Sequence, residues 1–236
     1  MRDGLFILVS RFRANSGYAK ELKFFAALLA IPLCAGSARA LWRVLYVSIG
    51  ADTFWIPMLA GGACWFAIYA LLPKPLWIYV FGHELTHAIW AWAFGGKVKS
   101  FKVSSKGGYV ALTKTNFLIS LAPYFFPLYA AAILAGFIVV HVIWELDPWL
   151  PLLHLLLGMA YCFHLTLTWH ALKVKQTDVT DQGWLFSAVV IWLGNIAVLL
   201  CGLPLLTGKI EPLSAWLWVL SDTRSMVAGV ATYFRF

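Results

Sequence analysis

The sequence predicts an all-α polytopic membrane protein, with five to six transmembrane helices and a short β-hairpin after one of them. Three observations carry this. Of the 236 residues, 62% are hydrophobic and only 12% charged, against about 25% charged in a soluble domain. A chain this size cannot hide that much apolar surface inside itself, and the same balance excludes a disordered chain, collagen or a disulfide-stapled secreted module. The apolar residues collect in charge-poor windows of bilayer length, and the basic residues collect in alternate loops.

Taken in order, residues 4 to 10 are apolar, but Arg11 and Arg13 interrupt them and no small-residue cleavage site follows, so no cleavable signal peptide is expected. Residues 24 to 38 are apolar, short and broken by Pro32. They read either as an interfacial helix or as a sixth span running on towards Trp42 and Tyr46 past two arginines. Five stretches are each long enough for the roughly 20-residue helix that a bilayer core needs: 53 to 73, 75 to 96, 115 to 144, 148 to 172 and 182 to 208. The third contains Pro123 and Pro127 and is longer than one minimal crossing. It reads as a curved helix, or as a span that begins with an unwound or re-entrant piece near Asn116. The stretch 212 to 221 is too short to cross and is expected to be re-entrant or surface-lying.

Between the second and third spans, KVKSFKVSSKGGYVAL (residues 97 to 112) alternates polar and apolar residues on either side of Gly107-Gly108. That is the pattern of a two-stranded hairpin, and Gly95-Gly96 just before it is a helix stop. Its edge would be able to pair with an extended peptide. The organisation expected is residues 1 to 50 as a basic N-terminal region with an interfacial or additional membrane helix, 51 to 208 as the intramembrane core, and 209 to 236 as a short membrane-associated tail.

The net charge of +8 is unevenly placed. Arg39 and Arg43 precede the first good span, Lys97, Lys99, Lys102, Lys106 and Lys114 lie between the second and third, and Lys173 and Lys175 lie between the fourth and fifth. The opposite loops carry Lys74, then Glu145 and Asp147, then Lys209 and Glu211. The basic side is therefore expected to be cytoplasmic, beside anionic lipid. Thirteen tryptophans and nine tyrosines suit a protein anchored at two interfaces. No aromatic-basic module or zinc-finger spacing accompanies the charge, which excludes nucleic acid as a partner. Cys34, Cys64, Cys162 and Cys201 all lie in apolar runs without a CxxC pair and read as small packing residues.

The chemistry is concentrated in His83-Glu84-Leu85-Thr86-His87, inside the second span. Positions i and i+4 share a helical face, so two imidazoles there can bind one Zn2+. Glu84, the only acidic residue between Asp52 and Glu145, is placed to activate a zinc-bound water. Two histidines and a carboxylate in a lipid-bounded helix are expensive, and such groups are functional by default. Zinc needs a third protein ligand. Asp178 and Asp181, three residues apart before the last span, lie on the same side of the membrane as the end of the metal helix. Glu145, Asp147 and Glu211 fall near the opposite surface. His164 shares a face with Thr168 and, with His170, is able to tune the site, stabilise an oxyanion or orient a ligand; the bland alternative is packing between helices. His141 and His154 read as structural.

Over roughly residues 76 to 200 the chain resembles the site-two protease family of intramembrane zinc metalloproteases, as a divergent member. The resemblance rests on HExxH in a membrane helix, on GGKVKSFKVSSKGGYV as the strand-rich segment after it, and on a later aspartate. It implies His83 and His87 as ligands and Glu84 as base. The family's Asn-Pro and Leu-Asp-Gly motif is absent. Asp181-Gln182-Gly183 is a loose echo of it, while Thr177-Asp178 is similar to the Ser/Thr-Asp pair of a divergent branch, which favours Asp178 over Asp181. Asn116 and Asn195 are candidates for the family's substrate-holding asparagine, and neither is assigned by a motif.

The function expected is a zinc-dependent intramembrane endopeptidase acting on membrane-spanning or membrane-tethered polypeptides, multi-pass, with its site towards the cytoplasm. An upstream protease or a regulatory membrane partner would help select substrates, because no soluble selection domain is inserted between the spans. Two alternatives use the same residues: a zinc-dependent membrane hydrolase of a lipid-linked or small amide substrate, and a non-enzymatic metal-containing scaffold or transporter.

Overall fold

The computed structural model describes residues 16–104 and 107–233. The apolar stretch 4 to 10, Arg11, Arg13 and Lys106 lie outside the described residues. In chain order the elements are α1 (Ser16–Leu29), α2 (Ile31–Ser48), α3 (Asp52–Leu71), α4 (Leu76–Ala93), β1 (Val98–Ser104), β2 (Gly107–Leu112), α5 (Phe117–Leu121), a 3-10 turn (Ala122–Tyr124), α6 (Leu128–His141), a second 3-10 turn (Asp147–Trp149), α7 (Leu150–Leu172), α8 (Thr177–Gln182), α9 (Trp184–Thr207) and α10 (Pro212–Tyr233). The fold is mostly α-helical, with one small antiparallel hairpin directly after the helix that carries the histidines.

Among the described residues, three segments are long and apolar enough to cross a bilayer: α3, α7 with the 3-10 turn before it, and α9. The number rises to five if each of two bent pairs is one span. The first pair is α1 with α2, bent by 44°. Pro32 sits in the first turn of α2, where a missing N–H costs nothing and the fixed φ suits a helix start. The second pair joins α5 and its 3-10 turn to α6 at 85°. The run from 115 to 144 is thus a broken segment rather than a curved helix. Pro123 and Pro127 are the cause, since neither can donate to the preceding turn. The helix with the histidines, α4, is not among the three: its polar residues lower its hydropathy, and they lie on a buried face.

The chain divides into two compact units, one of them Thr53–Asp181 and the other formed by α1, α2, α9 and α10. In the first, a core of Trp65, Tyr79, Val80, Phe163, Leu167 and Ala171 joins α3, α4 and α7. Helices α3 and α7 approach to backbone contact: a Cβ on Gly61 would stand 1.9 Å from the Leu155 carbonyl oxygen, and one on Gly158 would stand 1.9 Å from that of Met58. Such small-residue contacts replace the hydrophobic drive that lipid does not supply. Trp65 Nε1–H donates to Thr166 Oγ1 at 2.8 Å. His154 Nδ1–H donates to the Thr53 carbonyl at 3.0 Å, with its ring edge-on to Phe54. His154 is therefore structural, as its sequence context suggests. His141 is exposed and lies 3.9 Å from Asp147.

In the second unit, α2 and α10 pack through Gly36, whose added Cβ would meet Thr223 Oγ1 at 2.1 Å. The last helix is longer than the sequence suggests, 22 residues against the stretch 212 to 221. Asp222 and Arg224 end the apolar run but not the helix, because Asp222 is buried and paired with Arg43 at 2.8 Å and Arg39 at 3.9 Å. The four cysteines are free thiols.

The hairpin register pairs Phe101 with Val110, Lys102 with Tyr109 and Val103 with Gly108, with an irregularity between Val98 and Ser100. Gly107 and Gly108 belong to the second strand, not to the turn. A Cβ on Gly108 would meet the Lys102 carbonyl oxygen and Val80 Cγ1 at 2.9 Å and Glu84 Cγ at 3.0 Å. The glycine is there because β2 lies directly against α4. Gly95, with φ 70°, closes α4 as expected: its N–H reaches the Trp92 carbonyl, and that of Gly96 reaches Ala91.

Candidate metal centre

Helix α4 buries Tyr79, Val80, Gly82, His83, Glu84, Thr86, His87, Ala88 and Ala91. Residues 79, 80, 83, 84, 87, 88 and 91 follow the i, i+3, i+4 spacing of one face, so the motif's three ionisable side chains point into protein. His83 and His87, one turn apart, have ring centroids 4.9 Å apart. The third member of the cluster comes from α8. Asp178 is 3% exposed, and its Oδ2 lies 3.4 Å from His83 Nε2 and 3.5 Å from His87 Nε2. His83, His87 and Asp178 are the group of potential ligands found among the described residues, their ligand atoms within 4.8 Å of one another.

These separations fit a metal ion. Two atoms each about 2.0–2.2 Å from a tetrahedral zinc stand about 3.3–3.6 Å apart. A direct N–H···O bond prefers about 2.7–3.2 Å. The donor set of two imidazole nitrogens and one carboxylate oxygen is also a zinc set. Asp178 Oδ1 is buried and has no hydrogen-bond partner among the described residues, so protein contacts do not exhaust the carboxylate. Burial by itself would raise the Asp178 carboxyl, but the facing His87 and His83 imidazoles outweigh it and hold the group below the usual carboxylate range.

The surrounding contacts fix each member. His87 Nδ1–H donates to the Ile119 carbonyl at 2.7 Å, which leaves Nε2 for the cluster. That carbonyl is set in place by α5, a single turn capped by Asn116, whose Oδ1 accepts from Ile119 N–H at 2.9 Å. Tyr124, in the 3-10 turn that follows, donates its hydroxyl to Asp178 Oδ2 at 3.0 Å and sets its ring edge-on to His83. Gln176 donates Nε2–H to the Ala171 carbonyl at 2.8 Å, tying the end of α7 to the start of α8. Glu84 is 2% exposed and sits against β2, where the Val110 backbone N–H bonds its carboxylate.

The structure sorts the sequence candidates. It brings His83, Glu84, His87 and Asp178 together. Asp181 is exposed and lies outside the cluster. His164 is buried near His83, whereas His170 is only partly buried. Asn116 spends its side-chain oxygen on the α5 cap, and Asn195 donates to the Ile191 carbonyl within α9. Sequence reasoning missed Tyr124 and Gln176. A tyrosine in an apolar run carries no local signal; the one clue was the proline on each side, which marks broken backbone where a polar group has work.

A buried HExxH pair, an adjacent carboxylate and an aspartate as third ligand, set among membrane-spanning helices, make this the site of an intramembrane zinc-type metalloenzyme. The protein is membrane-embedded and its cofactor is Zn2+. Comparison with protein-family models, with curated proteins and with solved structures finds no match.

Proposed function

We propose that the chain is a zinc-dependent intramembrane endopeptidase of the site-two protease type, cleaving membrane-spanning or membrane-tethered polypeptides. The observation that carries this is the convergence of His83 and His87 of α4 with Asp178 of α8 on one point, with Glu84 beside it. His83, His87 and Asp178 would hold the ion. When bound, zinc polarises a carbonyl and makes water more acidic. The protein's own residues do the rest. Glu84 accepts a proton from the attacking water and returns it to the leaving nitrogen. Tyr124 and the Ile119 carbonyl keep Asp178 and His87 oriented. Helices α3, α4 and α7 exclude lipid and bulk water from the reaction.

A peptide substrate is favoured over a lipid-linked amide by the strand beside the base. Backbone groups of β2 lie next to Glu84, and an unwound peptide is recognised by hydrogen bonds to just such a strand. Five to six crossings, with α4 spanning in the shelter of its neighbours, and a cytoplasmic site complete the reading. The segregation of Lys97, Lys99, Lys102 and Lys114 to the hairpin loop supports that orientation.

The test uses the purified, zinc-analysed chain with a panel of synthetic single-span peptides, products being sized by mass spectrometry. The wild type is expected to cut at a defined peptide bond. Glu84→Gln should keep its zinc and lose at least about 100-fold in rate. Equal cutting by both would remove Glu84 from the chemistry. Release of an amine from a lipid-linked amide, with every peptide intact, would move the protein to the other hydrolase class.

A further inference from the structure

One buried side chain beside the metal cluster is not used by the mechanism above. His164 of α7 is 7% exposed, and its Nε2 has no hydrogen-bond partner among the described residues. It lines a small cavity of about 20 Å³, room for one water or one carbonyl oxygen, together with His83, Tyr79, Thr86 and Tyr129. The hydroxyls on that wall already donate elsewhere. Tyr79 donates to Thr168 Oγ1 at 3.3 Å, Thr86 to the Gly82 carbonyl at 2.7 Å, and Tyr129 to the Ile78 carbonyl. His83 turns its Nε2 to Asp178. His164 adds to that wall a buried ring nitrogen, Nε2, with no partner among the described residues, which donates when it carries the proton of the neutral imidazole. A buried polar atom left unmatched is costly, and one on a residue that lines a cavity beside a reaction centre is where a substrate atom would supply the match.

The placement also suits the charge that develops. Glu84 leaves α4 about 100° round the helix from His83 and faces β2, whereas His164 comes from α7. Base and donor therefore reach the centre from different elements. Adding water to an amide requires both: a proton acceptor for the water, and a preorganised donor for the carbonyl oxygen.

We propose that His164 is a further catalytic residue, donating its Nε2–H to the oxygen of the scissile carbonyl. The inference rests on the peptidase reading. In the step, the water oxygen bonds to the carbonyl carbon, the carbonyl π pair moves onto the oxygen that His164 holds, and the water's proton passes to Glu84. The C–N bond then breaks and Glu84 gives that proton to the nitrogen. His164 keeps its proton throughout.

The experiment compares the full chain with His164→Ala, His164→Phe (a similar ring without a donor) and His164→Gln (a side-chain N–H retained). Four quantities are measured: zinc per chain, kcat and KM on a cleaved synthetic span, the affinity of a phosphinic peptide, and that of a simple hydroxamate. The phosphinate imitates the tetrahedral oxygen; the hydroxamate reports the metal. Zinc content and hydroxamate affinity should stay at the wild-type level. In the Ala and Phe variants kcat should fall about 100-fold with KM little changed. Phosphinate affinity should fall in parallel, and Gln should recover part of both. If Ala fails to fold, Phe and Gln give the same comparison. Unchanged phosphinate affinity without the donor overturns the proposal, and so does loss of zinc, which would place His164 in service of the metal. A wild-type chain that holds zinc but neither cuts the peptides nor binds the phosphinate brings down the peptidase reading, and His164 falls with it. Normal cutting with unaltered phosphinate affinity in the variants brings down His164 alone.

Discussion

At the scale of single residues, the site is a problem of matching a few buried polar atoms. His83, His87 and Asp178 converge within metal-ligand reach, so removing any one should be felt as lost affinity. His83→Ala and His87→Ala are expected to abolish stoichiometric zinc, and Asp178→Asn to weaken it strongly, by elemental analysis after chelator challenge. Asp181→Asn should retain zinc near the wild-type level, because Asp181 is exposed and away from the cluster. The reverse pattern for the two aspartates would reassign the third ligand. Tyr124 is a subtler case. Its hydroxyl is 3.0 Å from Asp178 Oδ2, and loss of such an orienting bond typically costs about 10–100-fold in metal affinity or activity. Tyr124→Phe should therefore weaken zinc binding by about that factor without unfolding the chain, as read by competition with a fluorescent chelator. The histidines and Glu84 were legible in the sequence because charge in an apolar window is conspicuous. Tyr124 was not: it lies 54 residues from the carboxylate it serves, and no spacing rule connects them.

At the scale of elements, the hairpin and the broken segment after it are what turn a helix with a motif into a site. Strand β2 touches Glu84 because Gly108 has no side chain, and a Cβ there would approach Glu84 Cγ to 3.0 Å and Val80 Cγ1 to 2.9 Å. Gly108→Ala should push the strand from α4 and misplace the carboxylate. Cleavage is expected to drop about 10–100-fold, in line with the effect of small misplacements on reactive geometry, while zinc content stays constant. Undiminished cleavage would mean that the strand's fit against Glu84 is not needed. The existence of the hairpin was legible from its alternation. Its turn was placed two residues late, because Gly-Gly is a turn signal in sequence and here answers a packing demand from α4. The fate of residues 115 to 144 was open between a curve and a break. Two prolines and the Asn116 cap decide for the break, and the break is what delivers Ile119 to His87 and Tyr124 to Asp178.

At the scale of the whole molecule, the testable property is which side of the membrane the site faces. Lys97, Lys99, Lys102 and Lys114 mark the hairpin side, and Glu145 and Asp147 the side reached one segment later. Single cysteines, introduced at Lys99 and Glu145 in a chain lacking its own four, should react with a membrane-impermeant maleimide from opposite faces of intact cells and inverted vesicles. Lys99 is expected to label from the cytoplasm. Labelling of Lys99 from outside and of Glu145 from inside would invert the topology and move the chemistry to the other compartment.

The sequence by itself determined that this is a helical membrane protein and that a zinc-type pair sits within it, and it narrowed the third ligand to two aspartates just before α9. Those features are local: composition, charge-free length, and two histidines four apart on one helix. Only the tertiary structure decided between Asp178 and Asp181, for both lie on the same short helix, and the fold buries the first and leaves the second exposed. It alone also joined Asn116, Ile119 and Tyr124 to the histidines and the aspartate, and set His164 in the wall of the small cavity beside them. Hydrogen bonds between residues tens of positions apart depend on how helices pack. A chain's local pattern records which faces are apolar, but not which distant polar atom each buried one will meet.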